Sequence, residues 1–279
     1  MLQSHYPVLV YGATFAGLGI AAALKDSALL AERSALVGHE FIAAYHTGES
    51  WSASTLHNAA AKELRAELAR RNLLSESGSV HLPAMAPVLC HRIRKLGLQA
   101  RMMTEIVDVT AGARGYDVTL LSASGLQHIT VDHLIDTTSA CLSNPAHSVS
   151  IESKRIHAML HSSAPAPVPA LPPGDEKRVR FVKGLMPGEL ILELSLQPSD
   201  GWAEARAELH RYWEQRYEAF APWTLAAVAE TFAIRTAGRE RSLGPAWTWL
   251  PSANWDNGLQ AFDAGYSKGC QLHETILSA

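Results

Sequence analysis

The chain has 279 residues, 47% of them hydrophobic and 18% charged, with a formal net charge of −3. That is an ordinary globular composition, long enough for two modest domains or one large one. The near-neutral charge and the lack of a Lys/Arg block argue against nucleic acid or an anionic membrane as partner. No apolar run approaches the roughly 20 residues of a membrane span, and the first residues carry no basic-then-apolar leader, so a cytoplasmic location is expected. Cys90, Cys141 and Cys270 are odd in number, far apart and form no CxxC. This is the pattern of reduced, structural thiols.

The elements follow in chain order. Residues 7–11 (PVLVY) read as a strand, 15–25 as an Ala-rich helix and 28–32 (ALLAE) as a second strand ending in an acid. A helix over 52–71 carries Leu56, Ala60, Leu64 and Leu68 at four-residue spacing, with Glu67 and Arg71 as an i,i+4 pair. Another helix over 84–96 closes at Gly97. Strands are expected at 98–103, 105–111, 116–123 and 128–138, with a turn at Ser124 and Gly125 between the last two. Residues 148–160 alternate as a strand. The stretch 162–177, with five prolines at 165, 167, 169, 172 and 173, reads as an extended loop. A hairpin turning at Pro187 and Gly188 follows, then an amphipathic helix from Trp202 to Arg216 and a second helix over 222–235. Residues 236–279 have weak periodicity, and no apolar strand followed by a helix start is visible in them.

One unit carries chemistry. Gly12, Thr14 and Gly17 occupy the three positions of a Gly-x-Gly-x-x-Gly turn between strand and helix. In such a turn the first glycine allows the tight bend, the second lets backbone approach a pyrophosphate and the third lets the helix pack on the strand. The helix N-terminus attracts the phosphates. Thr14 crowds that approach, but its hydroxyl can donate to a phosphate. Glu32 lies 20 residues after Gly12, where a carboxylate accepts hydrogen bonds from a ribose diol and disfavours a 2′-phosphate; Arg33 beside it weakens that discrimination.

The run GATFAGLGIAAAL followed by ALLAERSALVGHE resembles the start of the FAD-dependent oxidoreductases with a glutathione-reductase-like Rossmann domain. The resemblance implies an α/β fold. It would comprise a Rossmann-like FAD/NAD(P)-binding domain (1–147), a smaller α+β substrate domain (148–235) and a return segment (236–279) packing on the first domain. It implies FAD as cofactor and a small-molecule substrate. Gly12, Thr14, Phe15, Ala16, Gly17, Glu32, Arg33 and His39 would border the cofactor, with Gly38-His39 in place of the usual Gly-Gly. EIVDV resembles the strand whose backbone meets the adenine, placing Ile106 there. HLIDTTSACLS resembles the later acid–spacer–Ala-Thr-Gly motif, with Thr138 at the cofactor and Ser139 for its glycine. FAIRTAGRERSLG resembles the arginine-bearing return, which makes Arg235 and Arg239 candidates for a substrate carboxylate. The closing strand–turn–helix of these proteins has no visible counterpart after Gly244. Two alternatives therefore stand beside the enzyme: an accessory chain that lost its cofactor or shares it with a partner subunit or second copy, and an NAD-binding enzyme using only the adenine half-site. No metal site is expected from the scattered histidines. His39 and His46 flank the flavin-side loop as candidate proton donors, and no catalytic base is assigned.

Overall fold

The computed structural model describes residues 4–163 and 177–277. The proline-rich loop expected over 162–177 lies almost wholly outside the described residues.

β1 (His5–Tyr11) leads through a tight turn into α1 (Phe15–Leu24) and back to β2 (Ala28–Ala31). Both strands are apolar and buried, as strands covered on both faces must be. α2 (His39–Ile42), α3 (Ala59–Arg70) and α4 (Met85–Lys95) precede β3 (Gln99–Arg101), β4 (Glu105–Ala111), β5 (Tyr116–Ser122) and β6 (Gly125–Asp136). The helix expected from residue 52 begins only at Ala59, because Asp263 accepts from the His57 and Asn58 amides and holds that end of the chain against the C-terminal helix. The Glu67–Arg71 pair is present at 3.1 Å, and Gly97 follows α4 with φ +65°.

The second half opens with β7 (Ile151–His161), β8 (Val179–Lys183), β9 (Glu189–Leu196) and α5 (Trp202–Glu214). β10 (Thr224–Val228), β11 (Ala233–Thr236), β12 (Arg241–Gly244), β13 (Trp247–Trp249) and α6 (Gly258–Leu277) complete it. Two expectations are corrected here. Residues 222–235 form no helix: β10 and β11 both pair antiparallel with β7, whose open edge outweighs the helix propensity of an Ala-rich run. The closing strand–turn–helix does exist. β13 is three residues long, runs parallel to β6 and leads through residues 250–257 into the 20-residue α6. A three-residue strand carries no periodicity to read.

The main sheet has the order β12-β13-β6-β1-β2-β3, parallel from β13 to β3, with the β4–β5 hairpin on the first half of β6. The smaller antiparallel sheet has the order β10-β7-β9-β8, with β11 also on β7. α5 covers it through Ala205, Leu209 and Trp213. This is an α/β fold: a parallel, dinucleotide-type sheet with a second sheet packed beside it. The two meet at residues 43–49, where the Glu230 amide donates to Ala43 O (2.8 Å) and Thr47 and Glu49 reach Glu193 and Arg180.

Candidate functional site

The site starts at the turn between β1 and α1. Gly12 has φ +103°, a conformation other residues rarely adopt. At Gly17 a Cβ would lie 2.0 Å from the Gly12 carbonyl oxygen, so only glycine lets the helix start this close to the turn. Thr14, in the middle position, is turned inward. Its hydroxyl accepts from the Gly17 amide (3.0 Å) and donates to Thr137 Oγ1 (2.7 Å), which caps the helix instead of meeting a phosphate.

Three more amides of the turn are engaged by the chain itself. Ala13 N–H donates to Glu32 Oε2 (2.8 Å), Phe15 N–H to Glu40 Oε1 (2.8 Å) and Ala16 N–H to Ser252 Oγ (3.0 Å). Ser252, from the β13–α6 connection, in turn donates to Glu40 Oε1 (2.5 Å). Glu40 is 5% exposed, and its second oxygen has no hydrogen-bond partner among the described residues. Burial, partly offset by the Ser252 and Phe15 hydrogen bonds, pushes its carboxyl up to about 7 from an ordinary 4.5. A group whose folded pKa is raised loses its proton first in the unfolded chain. The fold therefore loses stability as pH rises from about 4.5 to about 7, by up to on the order of 3 kcal/mol. Glu40→Gln cannot ionise, so its melting temperature should gain on wild type between pH 5 and pH 8. Parallel pH–stability curves for the two proteins would refute this.

Beside the turn lies a cavity of about 150 Å³, bordered by Gly12, Thr14, Glu32, Arg33, His39, Glu40, Thr138 and Ser139. Glu32 is buried at the end of β2 and accepts from the Ala13 and Ser34 amides (2.8 and 2.7 Å). Gly38, with φ +71°, donates to Ala13 O and starts α2, which brings His39 to this wall. Burial pushes His39 below the usual histidine value. Asp136, fully buried at the end of β6, accepts from the Thr138 amide and hydroxyl and from the Ser143 amide (2.6–2.7 Å), which shapes the Thr138–Ser143 loop on the far side. Of the residues expected at the cofactor, this cavity unites Gly12, Thr14, Glu32, Arg33, His39 and Thr138. Phe15, Ala16 and Gly17 stand behind it in the buried helix start. Ile106 does not border it; its amide donates to the Tyr11 hydroxyl (3.4 Å) under the β4–β5 hairpin.

A second cavity of about 290 Å³ opens between the two sheets, lined by His46, Gly48, Glu49, Arg155, Arg180, Glu193, Arg235 and Asp256, with Ser153 and Ala233. β11 separates the two cavities: Ala233 and Arg235 face this one, Phe232 and Ile234 the other, as strand alternation dictates. Each arginine has an acid: Arg155 with buried Glu193 (3.0 Å), Arg180 with Glu49 (2.8 Å) and Arg235 with Asp256 (3.2 Å). Arg239 is not here. It borders a shallower cleft with Glu152 and lies over the Trp255 ring at 6.0 Å. His46 and His157 are buried with ring centroids 5.9 Å apart. Burial pushes both below their usual value, His46 well below, so both are neutral at pH 7. His157 Nδ1 lies 2.7 Å from the Ala44 carbonyl, which can only accept, so the proton sits on Nδ1.

Glu40, Ser252, Arg155, Arg180, Glu193 and His157 were invisible to motif reading. Each becomes part of a site only through residues far away in sequence.

No protein-family model matches the chain, and no curated protein matches it by sequence. Solved structures do match. The p-nitrophenol 4-monooxygenase PnpA from Pseudomonas putida DLL-E4 aligns over 98% of this chain and 81% of its own, at 10% identity and TM-score 0.64. The glycine oxidase from Geobacillus kaustophilus aligns over 99% and 95%, at 13% and 0.61. Aklavinone-11 hydroxylase, solved with FAD and aklavinone, aligns over 99% and 63%, at 14% and 0.53. The chain shares their fold.

The donors at the start of α1 suit a dinucleotide phosphate in direction and polarity. Glu32, Gly12 and Thr138 border the cavity beside this turn. The Phe15 amide among those donors is taken by the Glu40 carboxyl group.

Proposed function

We propose that this protein binds FAD along the Gly12–Gly17 turn and works as a flavin-dependent oxidoreductase of the glutathione-reductase-like type. Its substrate would be a small polar molecule bearing a carboxylate. The observation that carries the reading is Glu32: a buried carboxylate at the end of a parallel strand, tied to the Ala13 amide and facing a cavity edged by Gly12 and Thr138. That is the arrangement a ribose diol requires. Glu32, Arg33, His39 and Thr138 would hold the adenosine side, and the amides of Phe15 and Ala16 the phosphates. A bound flavin would supply the two-electron chemistry.

The chain's own part lies in the larger cavity. At about 290 Å³ it is at the small end of ligand sites. Its lining pairs guanidinium groups with carboxylates, which favours a small polar substrate over an extended apolar one. Arg155, Arg180 and Arg235 each retain donors beyond those given to their acids, enough to orient a carboxylate. Neutral His46 lines the same cavity, where its imidazole can donate or accept a hydrogen bond without taking a charge.

FAD added to the purified protein should show a perturbed flavin absorption spectrum and quenched fluorescence; no binding anywhere from pH 5 to 8 would sink the reading. Arg155→Ala should leave FAD affinity within about two-fold while kcat/KM falls about ten-fold. That is the worth of one charge-assisted hydrogen bond discounted for partial exposure, and steady-state kinetics with flavin titration checks it. A second reading, an accessory chain that works without cofactor, is favoured by one observation: Glu40 in the phosphate's place.

A further inference from the structure

Glu40 has the attributes of a ligand supplied from within. It reaches a ten-residue helix at its N-terminus, where the partial positive charge of the helix favours an anion. It takes the Phe15 amide directly and shares Ser252, which takes the Ala16 amide. Yet Oε2 is buried without a partner among the described residues, a cost a merely structural cap has no reason to carry. Glu40 also borders the cavity beside the turn, so its side chain has space to leave into. α2, which carries it, is a single turn hinged at left-handed Gly38.

We propose that Glu40 is a built-in occupant of the phosphate seat at this turn, and that a dinucleotide phosphate binds there by exchange, driving Glu40 out. This rests on the dinucleotide reading above and adds how the cofactor's phosphate gains access.

The exchange is linked to protons. Seated, Glu40 titrates near 7; released toward water it returns to an ordinary carboxylate value. Release therefore sheds a proton between about pH 4.5 and 7, and wild-type affinity for FAD should rise across that window by up to about ten-fold per pH unit, then level off. Glu32, Arg33 and His39 on the facing wall and Tyr11 on β1 border the same space. These groups are present unchanged in wild type and in both variants.

The test is fluorescence titration of FAD, with calorimetric titration of ADP and inorganic pyrophosphate, into wild type, Glu40→Ala and Glu40→Gln from pH 5 to 8. Glu40→Ala should bind FAD at least ten-fold tighter than wild type, with the extra pH dependence gone. Glu40→Gln keeps a neutral occupant in the seat and the Phe15 amide satisfied, and should bind weakly with the same flat profile even if Glu40→Ala folds poorly. Equal FAD affinity and equal pH profiles for wild type and both variants overturn the exchange while leaving the FAD reading intact. Binding of ADP or pyrophosphate by Glu40→Ala, with no FAD taken up by wild type at any pH, supports the exchange and overturns the FAD reading. If no probe binds any of the three proteins, both fall.

Discussion

Gly265→Ala is expected to lower the melting temperature by about 4–8 °C, even though it improves helix propensity. Two effects oppose each other. Replacing a helical glycine by alanine contributes about 1 kcal/mol in favour of the helix. Against this, α6 crosses α1 so closely that a Cβ at position 265 would lie 2.1 Å from the Ala16 carbonyl oxygen. That neighbour is backbone inside the first turn of a buried helix and cannot rotate away, so overpacking of about 3 kcal/mol or more outweighs the gain in propensity. The net loss of about 2 kcal/mol converts at roughly 2–4 °C per kcal/mol for a chain of this size. The contact is reciprocal: a Cβ at Gly19 would meet the Phe262 carbonyl oxygen at 2.1 Å, and one at Gly269 would meet Ala23 Cβ at 2.7 Å. Gly97→Ala is the control. Among the described residues nothing lies within 4 Å of a Cβ there, so only left-handed backbone strain of about 1–2 kcal/mol applies. Scanning calorimetry of the two variants decides the matter. A Gly265→Ala melting point at or above wild type would mean that the helices are not held at this distance.

Glu32→Ala should abolish FAD binding and cost about 2–4 kcal/mol of stability. Both carboxylate oxygens are engaged, Oε2 by the buried Ala13 amide and Oε1 by the Ser34 amide. Removing the acceptor leaves the first donor unsatisfied in the interior, at about 1–3 kcal/mol, and the second only in part, because Ser34 is half-buried and water can replace the lost bond. The cofactor loss follows separately: among the described residues bordering the cavity, no other carboxylate stands at the strand end facing Gly12. Glu32→Gln distinguishes the two effects. Its single oxygen can keep one amide, so the fold should recover more than the FAD affinity does. Denaturant melts with flavin titration measure both. Unchanged FAD affinity in Glu32→Ala would remove the residue from the cofactor site.

The β1–α1–β2 unit was legible because everything that makes it is local. An apolar run, a turn with glycine where φ is positive, an Ala-rich helix and a second apolar run lie within some 30 residues. The same locality explains the hairpin of β8 and β9, turning at Gly188 with φ +74°. It also explains α5, whose Ala205, Leu209 and Trp213 share a face by spacing alone. Glu32 belongs to this class, since its distance from Gly12 along the chain fixes it at the end of the neighbouring strand.

What could not be read needed partners from elsewhere. Residues 222–235 are helix-like in composition and become strands because β7 offers them an edge. β13 is too short for a period and exists because β6 leaves backbone groups to pair. Thr14 looked like a blemish in a phosphate turn, yet Thr137, 123 residues away, makes it an inward-facing cap. Glu40 meets the Phe15 amide only because Gly38 turns α2 under the helix start, and Ser252 joins them across 236 residues of chain. Local sequence thus decided that a dinucleotide-type turn forms and where its acid stands, since both depend on backbone conformation and spacing. Which acceptor fills the turn was decided by the tertiary structure, because a buried amide takes whichever polar group the folded chain brings within about 3 Å of it.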